Sequence, residues 1–206
     1  MHWMDGPRRF GGLLWVAADV VFQLVFLGRS RPGPVTVTLI AAVLLLTAAV
    51  VAARGRPRRS VWVLGRLTTA LLALDFAGAV ADRLGLLGSA AASWGSWDAF
   101  VDYTARMLPF VPGPLVEATA FSATAGEVAL AVWLLSGWQR RWAGKAAAGL
   151  LAVYLLAMGF AFGPAEVARF ALPIQIGGAL LVSAVPSRRE RTTDGRQPLI
   201  SVNGQR

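Results

Sequence analysis

The chain has 206 residues, of which 56% are hydrophobic and only 15% charged, and its mean hydropathy is +0.57. These values exclude an ordinary soluble domain and point to a membrane protein. The formal net charge of +9 would suggest nucleic acid in a soluble protein, but the arginines here lie between apolar segments and in the final polar stretch, so they read as topology-setting, lipid-facing charge and no nucleic-acid partner is expected.

A helical span needs about 20 mostly apolar residues, and six stretches qualify. The first, Phe10 to Gly28, carries Asp19 and Gln23, four apart on one face, which read as a tie between this helix and the core. Because of Asp19, five spans, or a first helix lying in the interface, stay open as alternatives. The second is Val35 to Ala53. The third, Val61 to Leu84, carries Arg66, Asp75 and Asp82, and Arg66 reads as snorkelling to the surface. The fourth is Leu115 to Ser136, with Pro114 at its first turn and Gly137 as its C-terminal cap. The fifth is Ala143 to Phe162, closed by Gly163-Pro164. The sixth is Val167 to Val185, with Pro173 inside it. Trp62, Trp133, Trp138 and Trp142 fall near span ends, at headgroup depth.

Between the third and fourth spans, "SWDAFVDYTARML" (96–108) places Trp97, Phe100, Val101, Thr104, Met107 and Leu108 on one helical face, and Asp98, Asp102 and Arg106 on the other. Ser96 is its N-cap. This is an amphipathic helix lying over the bundle as a lid. Residues 187–206 are polar and aperiodic and read as a disordered cytoplasmic tail. The basic runs "RGRPRR" (54–59), Arg140-Arg141 with Lys145, and "SRRER" (187–191) set both termini in the cytoplasm of a bacterial inner (plasma) membrane, with Arg29 and Arg31 the one violation.

There is no cysteine, which excludes disulfides, thiolate metal sites and a dithiol relay within the chain. The one histidine is His2, so haem held by two internal histidines is not expected, and no pattern for a metal site, phosphate loop or nucleophilic triad is seen.

From Trp97 to Leu181 the sequence resembles the DoxX family of small membrane proteins. The residues that carry this are Trp97, Phe100, Tyr103-Thr104, Pro109-Phe110, Ala123-Thr124, Glu127, Gly137, the basic Arg140-Arg141, "LLAVYLLAM" (150–158) and Gly163. The resemblance covers roughly residues 61–185. It departs from the family where Gly78 is followed by Asp82 and Arg83 in place of a lysine. It implies an antiparallel four-helix bundle, quinone-coupled oxidation in some members, and membrane complexes handling oxidative stress in others. The expected fold is therefore an all-α integral membrane protein. It has a four-helix antiparallel core (60–186) and an N-terminal two-helix hairpin (1–59), about six transmembrane helices in all.

Two acids stand out. Glu127 lies mid-span, one turn after Thr124 and among the small residues Ala120, Ala123, Gly126 and Ala131. Either it is a packed carboxyl tying two helices together, or it accepts protons beside a quinone or other substrate. Asp75 lies at matching depth on the third span, and the two acids are candidates for a shared site. Tyr103 either anchors the interface or donates a hydrogen bond into the bundle mouth. Glu127, Asp75, Thr124 and Tyr103 form the candidate proton and quinone site, and Glu166 with Arg169 reads as a surface pair. The expected function is an accessory subunit of a membrane redox system, with a redox protein partner, the lipid bilayer around it and quinone as the one candidate cofactor. Enzyme activity of the isolated chain is left open, leaning against it. The alternatives are a proton-coupled small-solute transporter and a structural scaffold without ligand.

Overall fold

The computed structural model describes residues 6–25, 34–53, 59–87 and 93–185, and all regular structure among them is α-helical. Eight helices follow in order: α1 (Gly6–Val25), α2 (Pro34–Ala52), α3 (Arg59–Arg83), α4 (Trp97–Met107), α5 (Gly113–Ser136), α6 (Arg140–Phe162), α7 (Pro164–Arg169) and α8 (Leu172–Ala184). His2, Arg29, Arg31, most of the 54–59 basic run and the 187–206 tail lie outside the described residues. Three helices, α3, α5 and α6, are long and apolar enough to cross a membrane, and α2 and α8 are shorter apolar helices. At 1.5 Å per residue, each of the three long helices reaches about 35 Å, enough for a hydrocarbon core of about 30 Å.

The local chemistry suits lipid. A span must satisfy its polar groups internally, and the hydroxyls of α5 do so by bonding back one turn. Thr119 donates to Leu115 O (2.7 Å), Ser122 to Ala118 O (2.8 Å) and Thr124 to Ala120 O (2.9 Å). Gly137 ends α5 in the left-handed region, at φ 67°, where glycine carries no Cβ penalty.

The sixth expected span is two helices. α7 stops at Arg169, and Ala171 adopts φ 50° before α8 begins at Leu172. Pro173 explains the break: it has no N–H, and its ring would collide with the carbonyl of residue 169 in a continuous helix. The thirteen residues of α8 reach only about 20 Å, so this helix does not cross the hydrocarbon layer alone. It is instead the buried axis of the molecule, with every residue but Leu180 buried.

The N-terminal pair is not a hairpin. α1 packs chiefly along α8 and α2 chiefly along α3, with little contact between them. Small residues decide this. A Cβ on Gly12 would meet the Leu181 side chain at 2.8 Å, and one on Gly177 would meet Val16 at 2.8 Å. The missing side chains let α1 and α8 cross closely. On the other flank, a Cβ on Gly144 of α6 would lie 2.7 Å from Ala179 O. Gln23 donates to Ala168 O at 2.9 Å, and Asp19 is buried against the backbone of Ile174, so these two polar residues of α1 serve its docking onto α7 and α8.

Successive long helices alternate in direction, which gives the bundle two distinct ends. At one end Arg9 donates to Val50 O (3.3 Å), and Arg140 at the start of α6 reaches Gly65 on α3 beside Val185. At the other, α4 and α7 cover the bundle. Asp82 is buried and accepts from the backbone N–H groups of Ser93 (2.8 Å), Trp94 (3.1 Å) and Gly95 (3.1 Å), which fixes the entry into α4. Ser96 caps α4 by accepting from Ala99 N (3.2 Å). Phe100, Tyr103 and Thr104 are its buried residues, so the covering face includes Tyr103, which the sequence-derived face omits.

Candidate functional site: a lipophilic cavity beneath α4

Below α4 lies a cavity of about 370 Å³ walled by α3, α4, α5, α6 and the start of α8. Its walls are mostly apolar: Phe76, Trp94, Phe100, Met107, Leu151 and Met158 are among them. Asp75, Arg83, Glu127, Tyr154, Tyr103 and Gln175 bring polar chemistry to the same space. An apolar chamber with a few convergent polar groups is the usual form of a small-molecule site.

One wall is a closed ion-pair cluster. Arg83, the last residue of α3, reaches α5, where Nη2 donates to Glu127 Oε1 (2.8 Å) and Nη1 lies 2.8 Å from Oε2. The same Nη1 donates to Thr124 Oγ1 at 2.8 Å, and Tyr154 of α6 donates to Glu127 Oε1 at 2.6 Å. The two charged side chains are 3% and 2% exposed. The guanidinium also lies over the Phe100 ring, with Cζ 3.7 Å from the centroid, and 5.2 Å from that of Trp94. Arg83 Nε has no hydrogen-bond partner among the described residues, and the guanidinium meets these aromatic faces instead. Glu127 is therefore a paired carboxylate joining three helices.

Asp75 borders the same cavity and differs in kind. It accepts from Thr36 Oγ1 at 3.0 Å and has Gln175 beside it, and no cation pairs with it among the described residues. Glu127 adds repulsion. The two acids thus border one cavity, with only Glu127 neutralised.

Tyr103 sits where the cavity meets a second, outward pocket of about 340 Å³ that also borders Arg106, Glu166 and Arg169. Its hydroxyl donates to Glu166 Oε1 (3.3 Å), away from Asp75 and Glu127, and burial followed by the Glu166 charge pushes the phenol well above its ordinary pKa. Arg169 also pairs with Glu166 at 3.3 Å, so the expected surface pair includes the tyrosine as well.

Sequence reasoning singled out Glu127 but not the partners that define it. Arg83 carried a usable signal: a cation inside an apolar segment requires an acid or a ring nearby. Tyr154 carried none, since a tyrosine in an apolar helix has many uses.

The described residues form an all-helical protein with three helices of membrane-spanning length and a partly open lipophilic chamber. Residues 74–168, a little under half of the chain, match the family model of methylamine utilisation protein MauE. The matched stretch takes in Asp75, Arg83, α4, Glu127 and Tyr154. MauE is a different family from DoxX, so the DoxX resemblance is overturned, and nothing that it implied is carried by a family match. No curated protein and no solved structure matches the chain significantly.

Proposed function

We propose that this chain is a multi-pass membrane accessory protein of a redox system, and that its cavity holds a lipophilic molecule whose polar head meets Asp75. The observation that carries this is the apolar chamber with one un-neutralised carboxylate on its wall. The similarity of residues 74–168 to a methylamine utilisation protein supports an accessory role beside an oxidation system. With no cysteine and only His2, the chain offers no thiolate or internal imidazole ligands, so electrons would come from a partner protein.

A quinone or quinol suits the chamber. Its ring has Trp94, Phe100 and Tyr103 to lie against, and its tail has Leu150, Val153 and Ala157 of α6. Asp75, not Glu127, is the proton-exchanging group. Glu127 is already paired with Arg83, whereas Asp75 can exchange a proton without breaking an ion pair. Arginine and lysine at the Arg66–Arg140 end favour a cytoplasmic face there, which places the start of α1 and the end of α8 on that side and the cavity toward the other.

The test is titration of the purified protein with decylubiquinone, read by tryptophan quenching, since Trp94 lines the chamber. Saturable quenching is expected in the parent protein. In Asp75→Asn the affinity for the reduced form, decylubiquinol, whose hydroxyl donates to the Asp75 carboxylate, should fall about tenfold, the worth of one charge-assisted hydrogen bond. Absence of saturable quenching would sink the quinone reading. One observation favours a second reading, a proton-coupled carrier: the α7–α8 break opens onto the cavity at Phe170 and Leu172, and interrupted helices mark transporter sites. Solute uptake into proteoliposomes that collapses with the proton gradient would favour it over the first.

A further inference from the structure

At the opposite end of the bundle from the cavity, Arg140 is 6% exposed. Its Nη2 donates to Gly65 O (3.2 Å) and Thr69 Oγ1 (3.1 Å). Its Nε is buried with no partner, and Nη1 makes no bond among the described residues. Among the described residues no acid answers it: the one charged group there that acts on Arg140 is another cation, Arg66.

The two arginines are gathered round one turn. Arg66 follows Gly65, whose carbonyl Arg140 uses, and Arg66 Nη1 lies 3.3 Å from where a Cβ of Gly137 would be. Thus the α5–α6 turn has room for the Arg66 guanidinium because its cap residue is glycine. Arg140 opens α6, where the helix dipole disfavours a cation, and no acidic residue sits in that first turn. A buried arginine with no counter-ion, at a helix N-terminus and facing a second arginine, is costly by several kcal/mol unless an anion joins it.

The surroundings say where that anion comes from. Arg66 lies over Trp62 (5.4 Å), Lys145 over Trp142 (4.5 Å), and Trp133 contacts Trp138 (6.3 Å). Trp138 and Trp142 are exposed at this end. A belt of exposed indoles marks headgroup depth, so the available anion is the phosphate of a membrane lipid.

We propose that Arg66 and Arg140 form a binding site for the phosphate of an anionic phospholipid, and that this lipid completes the charge balance between α3 and α6. Both guanidiniums donate to the phosphate oxygens, Arg140 through Nη1, and the acyl chains lie along the lipid-facing side of α3.

The experiment uses the full chain in mild neutral detergent, with native mass spectrometry to count retained lipid and a thermal melt as a second readout. Phosphatidylglycerol should be retained and should raise the melting temperature. Phosphatidylcholine should do neither. Arg66→Gln and Arg140→Gln should each weaken phosphatidylglycerol retention about fivefold, and Arg140→Lys should restore part of it. Arg66 is exposed, so its variant keeps the test alive if Arg140→Gln fails to fold. Equal retention of the two lipids, or wild-type retention in Arg66→Gln, would overturn the proposal. An equal rise in melting temperature with inorganic phosphate would overturn the lipid as its source.

Discussion

The two ends of this bundle handle buried charge in opposite ways. Under α4, Arg83 has Glu127, Thr124 and the Phe100 ring, Asp82 has three backbone N–H groups, and Glu166 has Arg169 and Tyr103. At the far end Arg140 has one carbonyl and one hydroxyl, and its only charged neighbour among the described residues repels it. The cavity end is thus electrostatically complete except at Asp75, and that is where a ligand has most to gain. The basic end is incomplete as a protein, which is why its missing partner is sought in the membrane. Removing charges should therefore hurt the cavity end and leave it unresponsive to lipid.

The largest effect is expected at the Arg83–Glu127 pair. Glu127→Gln or Arg83→Gln leaves an unpaired buried charge, at about 3–5 kcal/mol. The double substitution Arg83→Gln with Glu127→Gln should cost much less than the sum. Reversible unfolding in mixed micelles measures both, and additive losses would show that the pair does not act as a unit. Asp82→Ala comes next, at about 1–3 kcal/mol for three stranded N–H groups. Faster amide exchange at residues 93–95 is the accompanying signature, and unchanged exchange there would mean that Asp82 is not the anchor.

Gly144→Val tests the axis that both ends share. Its side chain would press on Ala179 O and Ser183, and overpacking of this kind costs about 1–3 kcal/mol. Gly149, on the same helix with nothing within 4 Å of its missing Cβ, is the control: Gly149→Ala should be neutral or stabilising by helix propensity.

How much of this was legible follows from what each feature needs. Apolar runs of span length and proline or glycine punctuation are local, so α2, α3, α5 and α6 fall within a few residues of their sequence-derived limits. The break at Ala171 was half legible: Pro173 was visible inside the sixth span, but whether a proline kinks a helix or splits it is not written in the local sequence. The hairpin failed because hydropathy says which segments seek lipid or core, not which neighbour they choose. That choice lay in the glycines, Gly12 against Gly177. Glu127 was legible as an oddity in an apolar helix. Its partner Arg83 lies 44 residues earlier, and no periodicity links positions so far apart. The family was misread because the motifs quoted, a Trp and Phe before a small-residue helix with one acid, are features that small membrane bundles share by physics.

The smallest expected effect concerns the outward rim of the cavity end, where charge is answered but water is near. Glu166 is partly exposed and pairs with an exposed Arg169, so Glu166→Gln should change stability by under about 1 kcal/mol. It should still change Tyr103. Burial first, then the Glu166 charge and hydrogen bond, hold that phenol above its ordinary pKa. A raised folded-state pKa means that stability is intact below the unfolded value near about 10 and is lost as pH rises above it. In Glu166→Gln the repulsion disappears, Tyr103 ionises at lower pH, and the alkaline loss of stability becomes shallower. The chain has two tyrosines, so ultraviolet titration of the parent, Glu166→Gln and Tyr103→Phe assigns the signal. An unmoved Tyr103 titration would separate Glu166 from the cavity rim and confine its role to Arg169.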